Sequence, residues 1–493
     1  MSTADVSVAQ APPQVEPERR RVKIASIEFW RFLFTAIVCV YHLEIYFTQR
    51  QLLLSGSSAV EFFFILAGFT MAMSASRAFS ARLAPFTVRE AHTKALSYVV
   101  KKLKGIWPVL LVIMLFWAIG VMRGPAPQQG GFWGGFGGNT GGGAAAWPWG
   151  GWGTDTGAGT GGTATWPWGG GFGDTTNAWG GGFGAWGAPA VQLSPLMAKL
   201  TKLMNSEWEF LLLVGTPFGF NNGMSPNVPM WFLTALIVVG YVYTYAMYRH
   251  YDFLRFAAPV LGLLLYIFFA LSGSSTLEHS IKMGFLNAGM VKAAAEMSLG
   301  ICVYMIYEKL SARKLGAVWK VLLSLLEIYA VYRFFVLTVK APVGMDNYRR
   351  IIYIMLIVLL SFLNITALSR ILNKKVWKWL GSISLAMYLS HYMLINVYFD
   401  LLGKWKTYLS SKGPFDASAV NMLRFLRETG GFNERFTAIP MSAKDIILFL
   451  LLVMAASAGI MLLLAIVRKF IISPIKRAIA RRAAEAAAEE GAV

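Results

Sequence analysis

Residues 443–467 read AKDIILFLLLVMAASAGIMLLLAIV, and this stretch decides the class of fold to which the chain belongs. It carries no charged side chain after its third residue. A helix of about 20 predominantly apolar residues crosses the roughly 30 Å hydrocarbon core of a bilayer. The stretch therefore predicts a transmembrane helix.

Windows of about 19 residues identify similar stretches along the rest of the chain. In all, ten spans are predicted, near residues 26–48, 58–76, 97–121, 229–248, 254–272, 288–308, 317–337, 350–370, 379–398 and 443–467. The composition agrees, because only 14% of the 493 residues are charged, whereas soluble domains carry about 25%. The predicted fold is an all-α polytopic membrane protein.

Basic residues flank the predicted spans and sort to one side of the membrane. Their clusters lie at residues 19–23, 77–104, 249–255, 309–314, 370–378 and 468–482. By the positive-inside rule both termini are cytoplasmic, which agrees with an even number of spans. The formal net charge of +20 is spread over these clusters and not gathered in one domain, so no nucleic-acid partner is expected. Anionic membrane lipids are the expected partners, and a bacterial cytoplasmic (inner) membrane is the expected location.

The chain divides into three predicted regions. Residues 1–24 form a polar cytoplasmic segment without the apolar core of a cleavable signal peptide. The transmembrane domain spans 25–471, and a cytoplasmic tail, 472–493, is expected to form a short amphipathic helix. Residues 124–190 form an external insert rich in Gly and Trp, which is either a flexible linker or a surface whose Trp rings stack on sugars or rest at the membrane interface. Residues 206–220 are interpreted as an external interfacial or re-entrant piece.

Ionisable side chains inside spans are costly to bury, which makes them candidates for function. The first span contains Arg31, His42 and Glu44. Arg31 and His42 are eleven positions apart, hence within roughly 20° of one helix face and about 16 Å apart in depth. Arg31 is then near the cytoplasmic boundary and His42 in the outer half of the bilayer. The alternatives are a snorkelling arginine and an interfacial histidine.

Further polar side chains accompany the second, third and ninth spans. They are Glu61 at the start of the second, the cationic ledge of Lys101, Lys102, Lys104 and Trp107 in the third, and His391 in the ninth. The ledge either holds phosphates or only marks the cytoplasmic side. His391 is expected about 15 Å above the cytoplasmic start of its span, level with His42. Two imidazoles at one depth form a polar centre, unless each only bonds a neighbour.

The two cysteines, Cys39 and Cys302, both lie within predicted spans. They are interpreted as small buried side chains and not as a disulfide or metal ligands. No metal site and no redox chemistry are predicted.

Together and in this order, these signals resemble the membrane acyltransferase type 3 family, over a frame from about Ile27 to Lys469. The most specific element is an arginine followed, after ten intervening residues, by a histidine. Arg31 and His42 match this pattern. The other matching elements are Phe63-Phe64-Ile65-Leu66-Ala67-Gly68, with Ala67 in place of the usual serine; Lys101 to Pro108, with Gly105 where a second arginine is expected; Trp-Phe-Leu at 231–233; and Ile-Ser-x-x-x-Tyr-Leu-x-His ending at His391.

The resemblance implies an integral membrane O-acyltransferase. Its donor is acyl-CoA, by default acetyl-CoA, taken from the cytoplasm as a substrate, with no bound cofactor. Its acceptor is a hydroxyl of a surface polysaccharide or glycolipid. Some members of the family carry an extra soluble domain that completes transfer, and this chain ends in a short tail, so a separate extracytoplasmic transferase is a further possible partner.

The candidate site residues follow from what a thioester donor requires. The donor-binding candidates are Arg31, Lys101, Lys102, Lys104 and Trp107, of which the cations suit phosphates. The catalytic candidates are His42, Glu44, Glu61 and His391. His42 acts either as general base or as a transient nucleophile, with Glu44 or Glu61 orienting its ring. His391 serves the acceptor or an oxyanion.

Two other functions use the same features. Buried Arg and His also line substrate paths in transporters and flippases, although the sequence shows no internal duplication of the kind that many transporters have. Alternatively, the chain performs only the membrane half of an acyl relay. Release of free CoA distinguishes a transferase from a transporter.

Overall fold

The computed structural model describes residues 24–44, 52–81, 85–123, 196–197, 230–271, 282–283, 286–341, 346–403 and 441–490. The helices are α1 (Ala25–Glu44), α2 (Glu61–Ser80), α3 (Val88–Arg123), α4 (Met230–Arg249), α5 (Tyr251–Leu271), α6 (Ala288–Ser311), α7 (Ala317–Lys340), α8 (Asp346–Leu363), α9 (Ala367–Ile371), α10 (Lys375–Leu402), α11 (Ala443–Val467) and α12 (Ser473–Glu490). A 3₁₀ turn, Gly56–Val60, leads into α2. Two short strands, β1 (Lys282–Met283) and β2 (Leu286–Asn287), pair as an antiparallel hairpin before α6.

A long helix stands at every predicted span. Six helical segments have by themselves the length and apolarity of a membrane span: Ala25–Glu44, Gly56–Ser80, Met230–Arg249, Gly289–Ser311, Ala317–Lys340 and Ala443–Glu485. The other four predicted spans are occupied by α3, α5, α8 and α10, which pack against α4, α6, α7 and α1 respectively. The predicted all-α polytopic membrane fold is confirmed.

The eighth predicted span, 350–370, is wrong at its C-terminal end. α8 stops at Leu363, and Asn364 takes a φ of 52°. Asparagine visits this left-handed region more readily than most residues, so it breaks the helix there. The short helix α9 follows, and the Ser369 hydroxyl donates to Oε1 of Glu327 on α7 at 2.8 Å. The break therefore lets α9 fold back onto α7.

Two helix pairs form the centre of the bundle, α1 with α10 and α2 with α6. In the second pair, a Cβ built on Gly68 would lie 2.0 Å from the carbonyl oxygen of Met297, and one on Gly300 would lie 2.1 Å from that of Ile65. Glycines at such a crossing let two backbones touch. Gly68 and Gly300 therefore permit the close contact between α2 and α6.

The last span leads directly into the tail. The Ser442 hydroxyl and backbone N–H both donate to the Asp445 carboxylate, which caps the start of α11. At its other end, α11 continues through a π-helical turn, Arg468–Ile472, into α12. Ile475 and Ile479 are exposed on α12 beside basic side chains. The tail is helical, as predicted.

Three predictions fall outside the described residues. They concern the N-terminal segment up to residue 23, the Gly- and Trp-rich insert at 124–190, and the interfacial or re-entrant piece at 206–220. They stay predictions, as does the division of the chain into three regions.

Candidate active site

The two imidazoles expected at one depth lie side by side. The ring centroids of His42 on α1 and His391 on α10 are 5.2 Å apart, with the rings tilted by 36°. α1 and α10 are packed against each other, which brings the two positions together. The His42 ring is half-buried and the Tyr392 ring lies 6.0 Å from it. The structure thus forms an imidazole pair, His42 and His391, in the half of α1 predicted to be outer.

His391 has a defined proton arrangement. Its Nδ1 lies 2.7 Å from the carbonyl oxygen of Tyr388, and because a carbonyl can only accept, Nδ1 carries the proton. In the neutral ring, Nε2 then presents a lone pair. Nε2 is buried and has no hydrogen-bond partner among the described residues. A neutral His391 can therefore accept a proton but cannot donate one to an oxyanion.

An aromatic chain joins the imidazole pair to two other elements of the family resemblance. The ring of Phe64 on α2 lies 4.6 Å from that of Phe232 on α4, and Phe232 lies 5.6 Å from Tyr388 on α10. The Tyr388 ring is 5.8 Å from His391. Segments far apart in sequence thus meet in one aromatic chain, which links His391 through Tyr388 to α4 and α2.

The half of α1 that is predicted to be cytoplasmic holds the guanidinium of Arg31. Nη1 of Arg31 lies 3.1 Å and 2.9 Å from the two carboxylate oxygens of Glu28, one helical turn earlier. Lys102 on α3 is half-buried and within electrostatic range of Arg31, with its ammonium 5.4 Å from the centre of the Tyr98 ring. Arg31 on α1 and Lys102 on α3, hereafter the cation pair, are therefore near enough to influence each other electrostatically.

The other members of the predicted ledge face outward. Lys101 and Lys104 are exposed on the far side of α3, and Trp107 is 42% exposed. Of the three lysines, Lys102 is the one with a described electrostatic interaction with Arg31. The exposed residues lie on the surface of the bundle, and the assignment of donor-binding residues stays a prediction.

Neither predicted orienting carboxylate is placed on the imidazole pair by its described contacts. Oε2 of Glu44 accepts from the backbone N–H of Leu53 at 3.1 Å, which ties the end of α1 to the following loop. Positions 42 and 44 also face different sides of a helix. Glu61 binds Nζ of Lys292 at 2.7 Å and Nδ2 of Asn347 at 3.0 Å. Both carboxylates thus have partners of their own.

Glu61 belongs to a buried cluster of charged and polar side chains between α2, α5, α6 and α8. Its members are Glu61, Lys292, Glu296, Tyr266, Asn347 and Arg350. Lys292 is shared, since Nζ also lies 3.8 Å from Oε1 of Glu296. Arg350 donates to the carbonyl oxygens of Leu337 and Ala341. Buried charges persist only when paired and hydrogen-bonded, so the cluster ties four helices together.

Sequence reasoning missed Glu28 and most of this cluster. Glu28 stands three residues before Arg31, and that spacing was a usable signal for an ion pair along one helix. Lys292 and Glu296 are four residues apart inside the sixth predicted span, where any charged side chain indicates a functional or structural site. The partner of each on a neighbouring helix had no signal in one sequence.

Comparison with known proteins supports the resemblance. A family described as an acyltransferase domain matches residues 24–467, from the residue before α1 to the last residue of α11. No curated protein and no solved structure matches. The matched range contains both the imidazole pair and the cation pair.

Proposed function

Because the chain belongs to the acyltransferase type 3 family, whose activity is that of membrane acyltransferases, we propose that it transfers an acyl group from cytoplasmic acyl-CoA to a hydroxyl. Acetyl is the proposed acyl group, and the proposed acceptor is a surface polysaccharide or glycolipid. The proposed location is a bacterial cytoplasmic membrane. The proposal has a second form, in which a separate extracytoplasmic partner receives the acyl group from this chain and completes the transfer.

The arrangement of charges along α1 supports this proposal. Arg31 of the cation pair lies in the first half of α1, and His42 of the imidazole pair lies about 16 Å further along the same helix. Acyl-CoA has the matching order of groups, phosphates first and then a long arm that ends in the thioester. A donor held by its phosphates at the cation pair therefore extends toward His42.

The chemistry assigned to His42 follows from the balance of the reaction. The hydroxyl oxygen forms a bond to the carbonyl carbon, the carbon–sulfur bond breaks, and the hydroxyl proton ends on the CoA thiolate. As general base, His42 takes that proton during attack. As nucleophile, it first forms an acyl-imidazole with loss of CoA, and the hydroxyl then displaces the imidazole. His391, with its Nε2 lone pair, is proposed to accept a proton from His42 or from the acceptor.

The test is release of free thiol from acetyl-CoA by the purified protein in lipid. A crude surface-glycan extract serves as acceptor, and wild type is compared with His42→Ala. We expect glycan-stimulated release by wild type and loss of it in the variant. The matched control is His250→Ala, an exposed histidine at the end of α4, which should release thiol as wild type does.

Two results would count against the proposal. Undiminished turnover in His42→Ala would remove the role of the imidazole. Absence of release with every acyl-CoA tested would favour a transporter or a relay that needs its partner.

Thiol release without acceptor separates the two roles of His42. A nucleophile gives a burst of thiol of about one equivalent per enzyme, since the acyl-imidazole accumulates. A general base gives no burst, because it has no hydroxyl to deprotonate.

A further inference from the structure

The carboxylate of Glu28 is held in place by more than its salt bridge. Its side chain is 8% exposed, whereas that of Arg31 is 31% exposed. Exposed pairs of this spacing are mobile and contribute a few tenths of a kcal/mol. A buried carboxylate, in contrast, must keep its partner, because an uncompensated buried charge is strongly destabilising. The buried member of the pair therefore fixes the exposed one.

Gly381 of α10 makes room for this carboxylate. A Cβ at that position would lie 2.2 Å from Oε2 of Glu28 and 2.6 Å from its Cβ. Such distances are too short for any real contact, so only glycine lets the Glu28 side chain lie in the α1–α10 interface. Gly381 also opens the ninth-span segment that ends at His391. The same helix pair thus holds both Glu28 and the imidazole pair.

Glu28 occupies only part of the Arg31 guanidinium. Both bonds to the carboxylate use Nη1, while Nε and Nη2 make no hydrogen bond to any described residue. A guanidinium offers five N–H donors in a rigid fork that suits phosphate oxygens. Fixing Nη1 on a buried carboxylate therefore sets the direction in which the remaining donors point.

The positive charge of Lys102 indicates what the remaining N–H donors of Arg31 can bind. Lys102 lies within electrostatic range of Arg31, and two cations brought together repel each other. One carboxylate offsets one of the two charges, so the group of three carries one net positive charge. A further anion is needed to neutralise it, and Arg31, the partly exposed member, can reach that anion.

We propose that Glu28 is a positioning residue for donor binding: seated against Gly381, it holds Arg31 so that the free edge of the guanidinium, with Lys102, binds a phosphate of CoA. The proposal rests on the proposed function. Glu28 does not touch the donor. It stays bonded to Nη1 when the phosphate binds, and it acts only through the direction of the guanidinium.

The test measures CoA binding directly, by calorimetry on the full chain in lipid nanodiscs, beside the kinetics of thiol release. Glu28→Gln removes the charge and keeps the size, and Gly381→Ala fills the space of the carboxylate without changing any charge. For both we expect a dissociation constant for CoA raised about tenfold, the equivalent of about 1.4 kcal/mol. The KM for acetyl-CoA should rise equally, with kcat within about twofold. Glu485→Gln, the same change on an exposed side chain of α12, should alter neither.

A third variant distinguishes weakened CoA binding from a failure to fold. Glu28→Asp keeps the buried charge but withdraws the carboxylate by one methylene, so CoA binding should also weaken. Melting temperatures of all variants, without CoA, show whether each is folded.

A change of CoA affinity in the opposite direction overturns the proposal. If Glu28 competed with the phosphate for Arg31, Glu28→Gln would bind CoA more tightly than wild type. Equal binding by wild type, Glu28→Gln and Glu28→Asp would likewise overturn it while leaving the acyltransferase proposal intact. A wild-type protein that neither binds CoA nor releases thiol would instead refute both.

Discussion

The crossing of α2 and α6 gives the sharpest test of the fold. Gly300 sits against the α2 backbone, where an added Cβ would lie 2.1 Å from the carbonyl oxygen of Ile65 and 2.8 Å from the backbone nitrogen of Phe69. Ordinary van der Waals contact begins at 3.4 Å. For Gly300→Ala the helices must therefore separate by about 1.3 Å at this point, because backbone atoms cannot rotate away as a side chain can.

The expected loss of stability is large for the addition of one methyl group. Overpacking a close-packed site costs about 1–3 kcal/mol, and occasionally more. Against this, Gly→Ala inside a helix gains about 0.5–1 kcal/mol where space allows. Gly459→Ala in α11 supplies the reference, because nothing lies within 4 Å of a Cβ built there. Gly300→Ala should thus be less stable than Gly459→Ala by about 1–3 kcal/mol, which is the overpacking cost, because both variants share the gain in helix propensity.

The assay is the melting temperature of each purified variant in the same detergent, followed by tryptophan fluorescence and repeated at two heating rates. Gly459→Ala should melt at or above wild type and Gly300→Ala well below it. Gly68→Ala, whose added Cβ would meet the carbonyl oxygen of Met297 at 2.0 Å, should resemble Gly300→Ala. Equal melting of the Gly300 and Gly459 variants would show that α2 and α6 are not in backbone contact.

Three further predictions concern charged residues. Lys292→Met leaves the two buried carboxylates around it without their shared cation, so it should destabilise the protein by about 3–5 kcal/mol, and a variant that melts with wild type would contradict the ion cluster. Lys102→Gln should raise the KM for acetyl-CoA about tenfold in thiol-release assays, because it removes one member of the cation pair. Lys101→Gln, which changes an exposed neighbour, is the matched control and should leave KM unchanged. Asp445→Ala removes the acceptor of the Tyr398 hydroxyl, 2.5 Å away, and should lower stability by about 1–3 kcal/mol in the same melting assay.

The positions of the spans were predictable because each must supply about 20 apolar residues whatever its neighbours are. The shared depth of His42 and His391 was predictable for the same reason, since depth follows from distance along a helix. Their contact was not, because hydropathy says nothing about which helices are adjacent. The prediction also failed at Asn364, where a single left-handed residue ends α8 within an apolar run.

A single sequence does not show which side chains of neighbouring helices pair with each other. Glu61 was expected near His42, yet its carboxylate is bonded to Lys292 of α6 and Asn347 of α8. Which partner a buried charge meets depends on the rotation of each helix about its axis, and close packing fixes that rotation. The ledge lysines show the same limit, since no feature of the sequence favours Lys102 over its neighbours.

The register of α1 and α10 links the proposed donor site to the proposed chemistry. Arg31 to His42 spans about 16 Å along α1, and Gly381 to His391 spans about 15 Å along α10. The two helices also meet at both levels, through Glu28 at Gly381 and through the imidazole pair. A slip of one helical turn, about 5.4 Å, would break at least one of these contacts. The distance from Arg31 to His42 is set by α1 alone, and the pairing with α10 adds His391 beside His42. In the proposed reaction this distance would match the arm between phosphate and thioester, which every acyl-CoA shares, and not the length of the acyl chain.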